Sequence, residues 1–162
     1  MQNLEDCSLL CYSDASWANL PDEGSQGGMV ILLVDKGGRQ CPIHWQTKKI
    51  RRVVKSTLAA ETLALLDGAE EAIHISGLIV ELISGEKLDI KCLVDNKGLV
   101  DALYSNKQVE GKRLRVEIAA LKEMMEKREI SKVEWVPTTA QLANCLTKGG
   151  ASAVSLLQAV AE

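Results

Sequence analysis

Three acidic residues stand where the surrounding sequence is otherwise apolar. Asp14 closes the run Leu9-Leu10-Cys11-Tyr12-Ser13, Asp95 closes Leu93-Val94, and Glu61 sits among Leu58, Ala60, Leu63, Ala64 and Leu65. A carboxylate in such a place costs several kcal/mol, on the order of the price of any buried charge, unless a cation or hydrogen-bond donors meet it. The bland reading makes these acids helix caps or ion-pair partners. The sharper one makes them a cluster of hard oxygen ligands, the donor set that magnesium prefers. Three acids placed against the hydrophobic grain point to a metal site, and the remaining chain must then bring them together.

Cations form two further groups. Lys48, Lys49, Arg51, Arg52 and Lys55 put five positive charges between residues 47 and 55, and Lys112, Arg113 and Arg115 form a second set. Each group is either a solvated surface or a ridge facing phosphates. The net charge of −3 argues against a strongly basic nucleic-acid binder but leaves room for local patches. Five cysteines form no Cys-x-x-Cys pair and are odd in number, so we expect reduced thiols that act as small buried hydrophobes. No apolar run nears the roughly 20 residues of a membrane span, and the acidic N-terminus lacks a signal peptide's hydrophobic stretch. These features predict an intracellular, non-secreted protein with no membrane partner.

The positioning elements follow from periodicity. A first strand is expected over residues 8–13, then a loop over 19–28 rich in Gly, Pro and Asp. Residues 29–34 and 40–46 read as second and third strands joined by the hairpin signal Asp35-Lys36-Gly37-Gly38. Ser56 is the expected N-cap of a long helix, Thr57–Ile83. At about 100° per residue, Leu58, Leu65, Ala69, Ala72, Ile79 and Ile83 share one face, and Glu61 falls on that face. Every other acid of the helix obeys the amphipathic rule, and His74 lies on the wet side.

Ser84-Gly85-Glu86 is expected to end this helix. A fourth strand, residues 88–94, delivers Asp95; a right-handed crossover places it beside the first strand. Helices follow over 97–104 and 112–128, then a fifth strand over 131–136 stopped by Pro137. Thr138-Thr139-Ala140-Gln141 has the form of a capping box, which predicts a helix carrying Leu142, Asn144 and Leu146. A last helix is expected over 153–160. Trp17 and Trp45 read as core or rim packing, and Asn19, Gln26 and Asn96 as polar residues near the acids. The 162 residues form one expected domain. Residues 1–7 read as a linker remnant and 151–162 as a C-terminal helix. The fold class is α/β, a mixed sheet of three antiparallel strands and two parallel crossover strands, flanked by helices.

Four motifs in this order resemble a known family. Ser13-Asp14-Ala15-Ser16-Trp17-Ala18, the stretch from Ser56 to Leu65, Val94-Asp95-Asn96-Lys97-Gly98, and Trp135-Val136-Pro137 through Thr147-Lys148 are similar to the ribonuclease H domain of copia-type LTR retrotransposon polyproteins. The resemblance covers residues 11–150 and implies the ribonuclease H-like fold. It also implies a monomeric endonuclease that cuts the RNA strand of RNA/DNA hybrids with two Mg2+ ions (Mn2+ substituting). Such a domain works with the reverse transcriptase portion of the same polyprotein, in cytoplasmic particles or the nucleus.

The resemblance makes Asp14, Glu61, Asp95 and the residue at position 144 both catalytic and metal-binding. Asp14 would bridge the two ions, and Glu61 and Asp95 would complete one ion's shell. The family's fourth acid is here Asn144, a neutral oxygen donor. That departure leaves three origins open: a natural variant of reduced activity, decay or domestication, and engineering. Lys48, Lys49, Arg51, Arg52, Lys55, Lys112, Arg113 and Arg115 are the nucleic-acid-binding candidates. A non-catalytic binding module and a DNA-cutting nuclease of the same fold are the competing functions.

Overall fold

The computed structural model describes residues 4–18, 20–83 and 85–161. Asn19, Ser84 and residues 1–3, on which parts of the loop, helix-end and linker expectations fall, lie outside the described residues. After a turn of 3-10 helix, Leu4–Asp6, come β1 (Ser8–Ser16), β2 (Ser25–Val34), β3 (Gln40–Ile50), α1 (Thr57–Ile83) and β4 (Asp89–Val94). They are followed by α2 (Lys97–Tyr104), α3 (Lys112–Glu126), β5 (Lys132–Trp135) and α4 (Val154–Ala161). The five strands form one sheet in the order β3-β2-β1-β4-β5. β1–β2 and β2–β3 are antiparallel, whereas β4 pairs in parallel with both β1 and β5. This is the expected meander with two crossover strands, and β4 lies beside β1 as expected.

Two faces are covered differently. One main core joins Leu9, Cys11, Ile31 and Ile90 of the sheet to Leu65, Ala69, Leu99 and Leu121 of α1–α3. On the other face Val30 and Leu32 pack under Leu142 and Ala143, with Leu10, Tyr12 and residues of α4 partly buried around them. Helix α1 can press close to the sheet because Ala60, Ala64, Gly68, Ala72 and Ser76 recur every fourth residue among its buried positions. A β-carbon on Gly68 would stand 2.9 Å from Cys11 Sγ, so that contact requires glycine. Ser56 caps α1 as expected, its hydroxyl accepting from the Ala59 N–H at 3.1 Å. Pro42, which cannot donate to a ladder, sits on edge strand β3, beside a register shift at Ile31/Leu32.

Three expectations about the elements need correction. Residues 25–28, expected as loop, belong to β2, where Gly28 pairs with Asp14 and Thr47. Glycine there leaves room for another segment: a β-carbon on Gly28 would meet Thr147 Cγ2 at 2.9 Å and Leu146 Cβ at 3.1 Å. β3 runs on to Ile50 and so takes Lys48 and Lys49 into the sheet. The helix expected from the capping box is two 3-10 turns, Thr138–Ala140 and Asn144–Leu146. The box fails because both of its side chains are spent elsewhere. Thr138 Oγ1 donates to Asp95 Oδ2, and Gln141 Nε2 donates to the carbonyls of Ser13 and Leu93 while its Oε1 accepts from Ala143 N–H.

The cysteines all carry free thiols, but Cys41 is exposed, against the expectation of burial. Trp17 and Trp45, 47% and 63% exposed, lie at the rim rather than in the core. No helix of the described residues is long and apolar enough to cross a membrane.

Candidate metal and nucleic-acid site

Asp14 is delivered by β1 and is fully buried. Asp95 follows the last residue of the adjacent parallel strand β4, just before the Asn96 N-cap of α2. Glu61 comes from the first turns of α1 and is 4% exposed. One carboxylate oxygen from each of the three lies within 4.8 Å of the others. The topology does this work: two neighbouring parallel strands end at the same sheet edge, and the connecting helix begins above it.

The electrostatics of the cluster are those of a site short of positive charge. Asp14 Oδ1 and Glu61 Oε2 are buried with no hydrogen-bond partner. Burial first, then the charges of Asp14 and Asp95, push the Glu61 carboxyl up to about 9, against the pull of the Ala15 backbone N–H that donates to it. Asp95 is also raised, by burial and then by Asp14, with the Thr138 hydroxyl and Lys148 opposing. Unpartnered, oxygen-only donors that crowd like charge fit a hard divalent cation. A cleft of about 630 Å³ opens beside them, lined by Trp17, Thr57, Asn96, Lys97 and Lys148 as well as Glu61 and Asp95.

Asn144 reaches this cluster through another side chain. Its Oδ1 accepts from Lys148 Nζ at 2.7 Å, and the same ammonium lies 3.3 Å from Asp14 Oδ2. Thr147 Oγ1 donates to Asp14 Oδ2 at 2.5 Å, and the Ser16 hydroxyl anchors the Thr147 carbonyl at 2.7 Å. Thr138, Gln141, Thr147 and Lys148 were not singled out from the sequence as site residues. The available signal was Lys148 four positions after Asn144, within reach of one tight turn.

The basic candidates divide. Arg52, Lys55, Lys112 and Arg113 line one groove of about 470 Å³ between the starts of α1 and α3. Within it the Arg52 guanidinium rests against Glu117, and burial followed by the nearby Arg113 charge lowers the Arg52 pKa. Lys48 pairs with Asp67 at 3.0 Å and Lys49 with Asp22, so both spend charge within the protein. Arg51 shares a shallower neighbouring groove with Lys48, Lys49 and Arg52. Arg115 lies in neither groove and contacts Gln108 at 3.4 Å. Asn96 lines the cleft, although its Oδ1 is committed to the Leu99 N–H. Gln26 instead ties β2 to Thr47 Oγ1 and the Leu146 carbonyl.

No protein-family model matches the sequence. Among solved structures the chain is similar to LC11-RNase H1, isolated from compost, in complex with an RNA/DNA hybrid. That match has a TM-score of 0.61 and 17% identity over 86% of this chain and 94% of that one. The N-terminal RNase H domain of a Mycobacterium tuberculosis protein matches at TM-score 0.57 and 16% identity over 95% and 96% of the two chains. The foamy viral protease-reverse transcriptase in complex with RNA/DNA hybrid matches at TM-score 0.59 and 14% identity. Here 91% of this chain corresponds to 20% of the viral one. The shared architecture is the ribonuclease H-like fold.

Proposed function

We propose that this chain is a single-domain endoribonuclease that hydrolyses the RNA strand of RNA/DNA hybrids, of the copia-type retroelement kind, with reduced activity. The observation that carries the reading is the acidic triad Asp14, Glu61 and Asp95, one oxygen from each within 4.8 Å of the others, with Asp14 Oδ1 and Glu61 Oε2 buried and unpartnered. The ribonuclease H-like fold supports it, because two of the similar structures, LC11-RNase H1 and the foamy viral protease-reverse transcriptase, are complexes with an RNA/DNA hybrid.

In this reading Asp14, Glu61 and Asp95 would hold the divalent ions, and Asn144 would become a neutral fourth donor once the Lys148 ammonium releases its Oδ1. A pair of Mg2+ ions, when bound, supplies Lewis acidity at the scissile phosphate and a water acidic enough to attack near neutral pH. The chain's own residues set the stage. Thr147 and Lys148 fix one oxygen of Asp14, which leaves the other without a hydrogen-bond partner. Thr138 fixes one oxygen of Asp95 in the same manner. Arg52, Lys55, Lys112 and Arg113 offer a groove for backbone phosphates, contacts that position a duplex without reading its sequence. The retroelement setting implies a reverse transcriptase on the same polyprotein as the partner.

The test is cleavage of a labelled hybrid by excess protein in Mg2+ and in Mn2+. We expect RNA-strand products that vanish in Asp14→Asn, a loss on the order of a thousandfold for a ligand whose ions supply several kcal/mol. Wild-type protein that binds the hybrid and cuts nothing in Mn2+ would leave a binding module instead. Preference for a DNA duplex in competition would favour the DNA-cutting alternative.

A further inference from the structure

The chain contains three tryptophans and no phenylalanine. None of the tryptophans enters the core: Trp17, Trp45 and Trp135 are 47%, 63% and 50% exposed. An indole is among the largest apolar surfaces a protein can bury, so leaving one half open is an expense without return in the isolated chain. Trp17 is the aromatic residue that lines the acidic cleft, beside Glu61 and Asp95 and together with Lys97. Its position is fixed, because its Nε1 donates to the Val54 carbonyl at 3.1 Å, in the loop that leads into α1. The backbone turns sharply just after it, at Ala18 with φ of +51°. The result is a ring whose one polar atom is satisfied and whose π surface stays about half open next to the carboxylates.

We infer that Trp17 is a substrate platform: its indole face packs against the base or sugar of the nucleotide next to the phosphate held at the triad. This rests on the proposed hybrid-nuclease reading. Phosphate recognition by the triad's ions and by Lys97 is purely electrostatic and falls with salt. An indole face adds a sequence-tolerant apolar contact that salt does not screen, because every nucleotide offers a flat ring or a C–H-rich sugar. Trp135 differs: its N–H holds the Asp95 carbonyl at 3.2 Å, and it is absent from the cleft lining, so its role is to position Asp95.

The test measures hybrid binding by fluorescence anisotropy in Ca2+, which fills an all-oxygen site at longer ligand distances than Mg2+, with a 2′-O-methyl RNA strand that has no 2′-hydroxyl and is not cut. Trp17→Ala should weaken binding about tenfold, within the range of one lost stacking contact. Trp17→Phe keeps a ring and loses the bond to Val54, and should stay within about threefold of wild type. Trp45→Ala, on strand β3 away from the cleft, should bind as wild type. Equal losses in Trp17→Phe and Trp17→Ala would assign the effect to the Val54 tether and overturn the platform. Unchanged binding by Trp17→Ala would overturn it as well. A second readout does not depend on how Trp17→Ala folds: in a Trp45→Phe/Trp135→Phe protein the only indole is Trp17, and saturating hybrid should quench its emission. Unquenched emission sinks the platform alone, whereas a folded wild type that binds no hybrid sinks the function reading and the platform together.

Discussion

Glu61 and Glu117 are the same residue, on helices, at 4% and 7% exposure, and the chain treats them in opposite ways. Glu117 of α3 is met by a guanidinium, Arg52, sent from the loop before α1. Glu61 is met by two more carboxylates and a single backbone N–H. Among the described residues the one ammonium paired with the triad, Lys148, serves Asp14 and Asn144 and is 40% exposed. Three carboxylates against one paired lysine leave a deficit of positive charge at the bottom of an open cleft. A buried acid with its own countercharge is a finished piece of structure. A buried acid without one is an unfinished site that is completed from solution, by a proton or by a cation.

The largest expected effect breaks the comparison from both sides. Glu61→Gln removes a proposed metal ligand but also relieves like-charge crowding. Hybrid cleavage should therefore fall by about a thousandfold while the melting temperature in EDTA at pH 8 rises. Glu117→Gln should do the reverse: it leaves Arg52 without its charge partner and costs about 1–3 kcal/mol, less than a fully buried pair because Arg52 is 38% exposed. Its cleavage rate should change by less than about tenfold. Rates from hybrid assays and thermal melts on the two proteins decide the matter. Loss of stability in Glu61→Gln would mean that the two acids are alike after all.

A smaller effect sharpens what the triad lacks. Asn144→Asp puts a fourth carboxylate where Lys148 Nζ now sits 2.7 Å from an amide oxygen. At an effective dielectric of about 20, one added charge near a dication is worth a few kcal/mol, and solvent at the half-exposed Lys148 reduces that. We expect cleavage in Mg2+ to rise about tenfold, with half-saturation at lower Mg2+. No gain would show that the site has drifted beyond position 144, and the binding-module reading would then lead.

Much of this was legible in the sequence because it rests on local rules. Glu61 announced itself by breaking the 3.6-residue pattern of its own helix, and Ser56 marked the helix start. The expected parallel pairing of the fourth strand with the first was enough to place Asp95 near Asp14. What escaped rests on side chains that act across long distances. Gln141 looked like a capping-box residue, but its amide bonds to Ser13 and Leu93, so the helix it should have supported became two short turns. Gly27 and Gly28 looked like loop because their strand is squeezed between α1 and the Leu146-Thr147 segment, a constraint no local window contains. Arg52 read as a free cation, since its partner Glu117 lies on another helix. The phosphate-facing roles of the basic residues rest on placement alone and stay part of the proposal.

The last predicted effect is on stability alone, not on rate, and follows from the proton that completes the Glu61 site. In the unfolded chain Glu61 ionises near its ordinary value of 4.5; in the folded, metal-free protein burial and its two acidic neighbours hold it at about 9. Between these values the folded protein keeps a proton that the unfolded chain has released. Stability from this group is therefore complete below about pH 4.5, declines as pH rises, and is gone above about 9. Asp95, also raised, adds a decline of the same sign. Melts in EDTA at pH 5, 7 and 9 should show the temperature falling by on the order of 10 °C across the series, because about 5 kcal/mol of linked stability moves the midpoint at roughly 2–4 °C per kcal/mol for a chain of this size. Glu61→Gln should flatten most of that slope, and Glu117→Gln should leave it in place. Saturating Mg2+ should flatten it too, because a cation that binds the ionised triad replaces the proton. A slope that persists unchanged in Mg2+ would mean that no cation enters the triad, and the metal reading would fall with it.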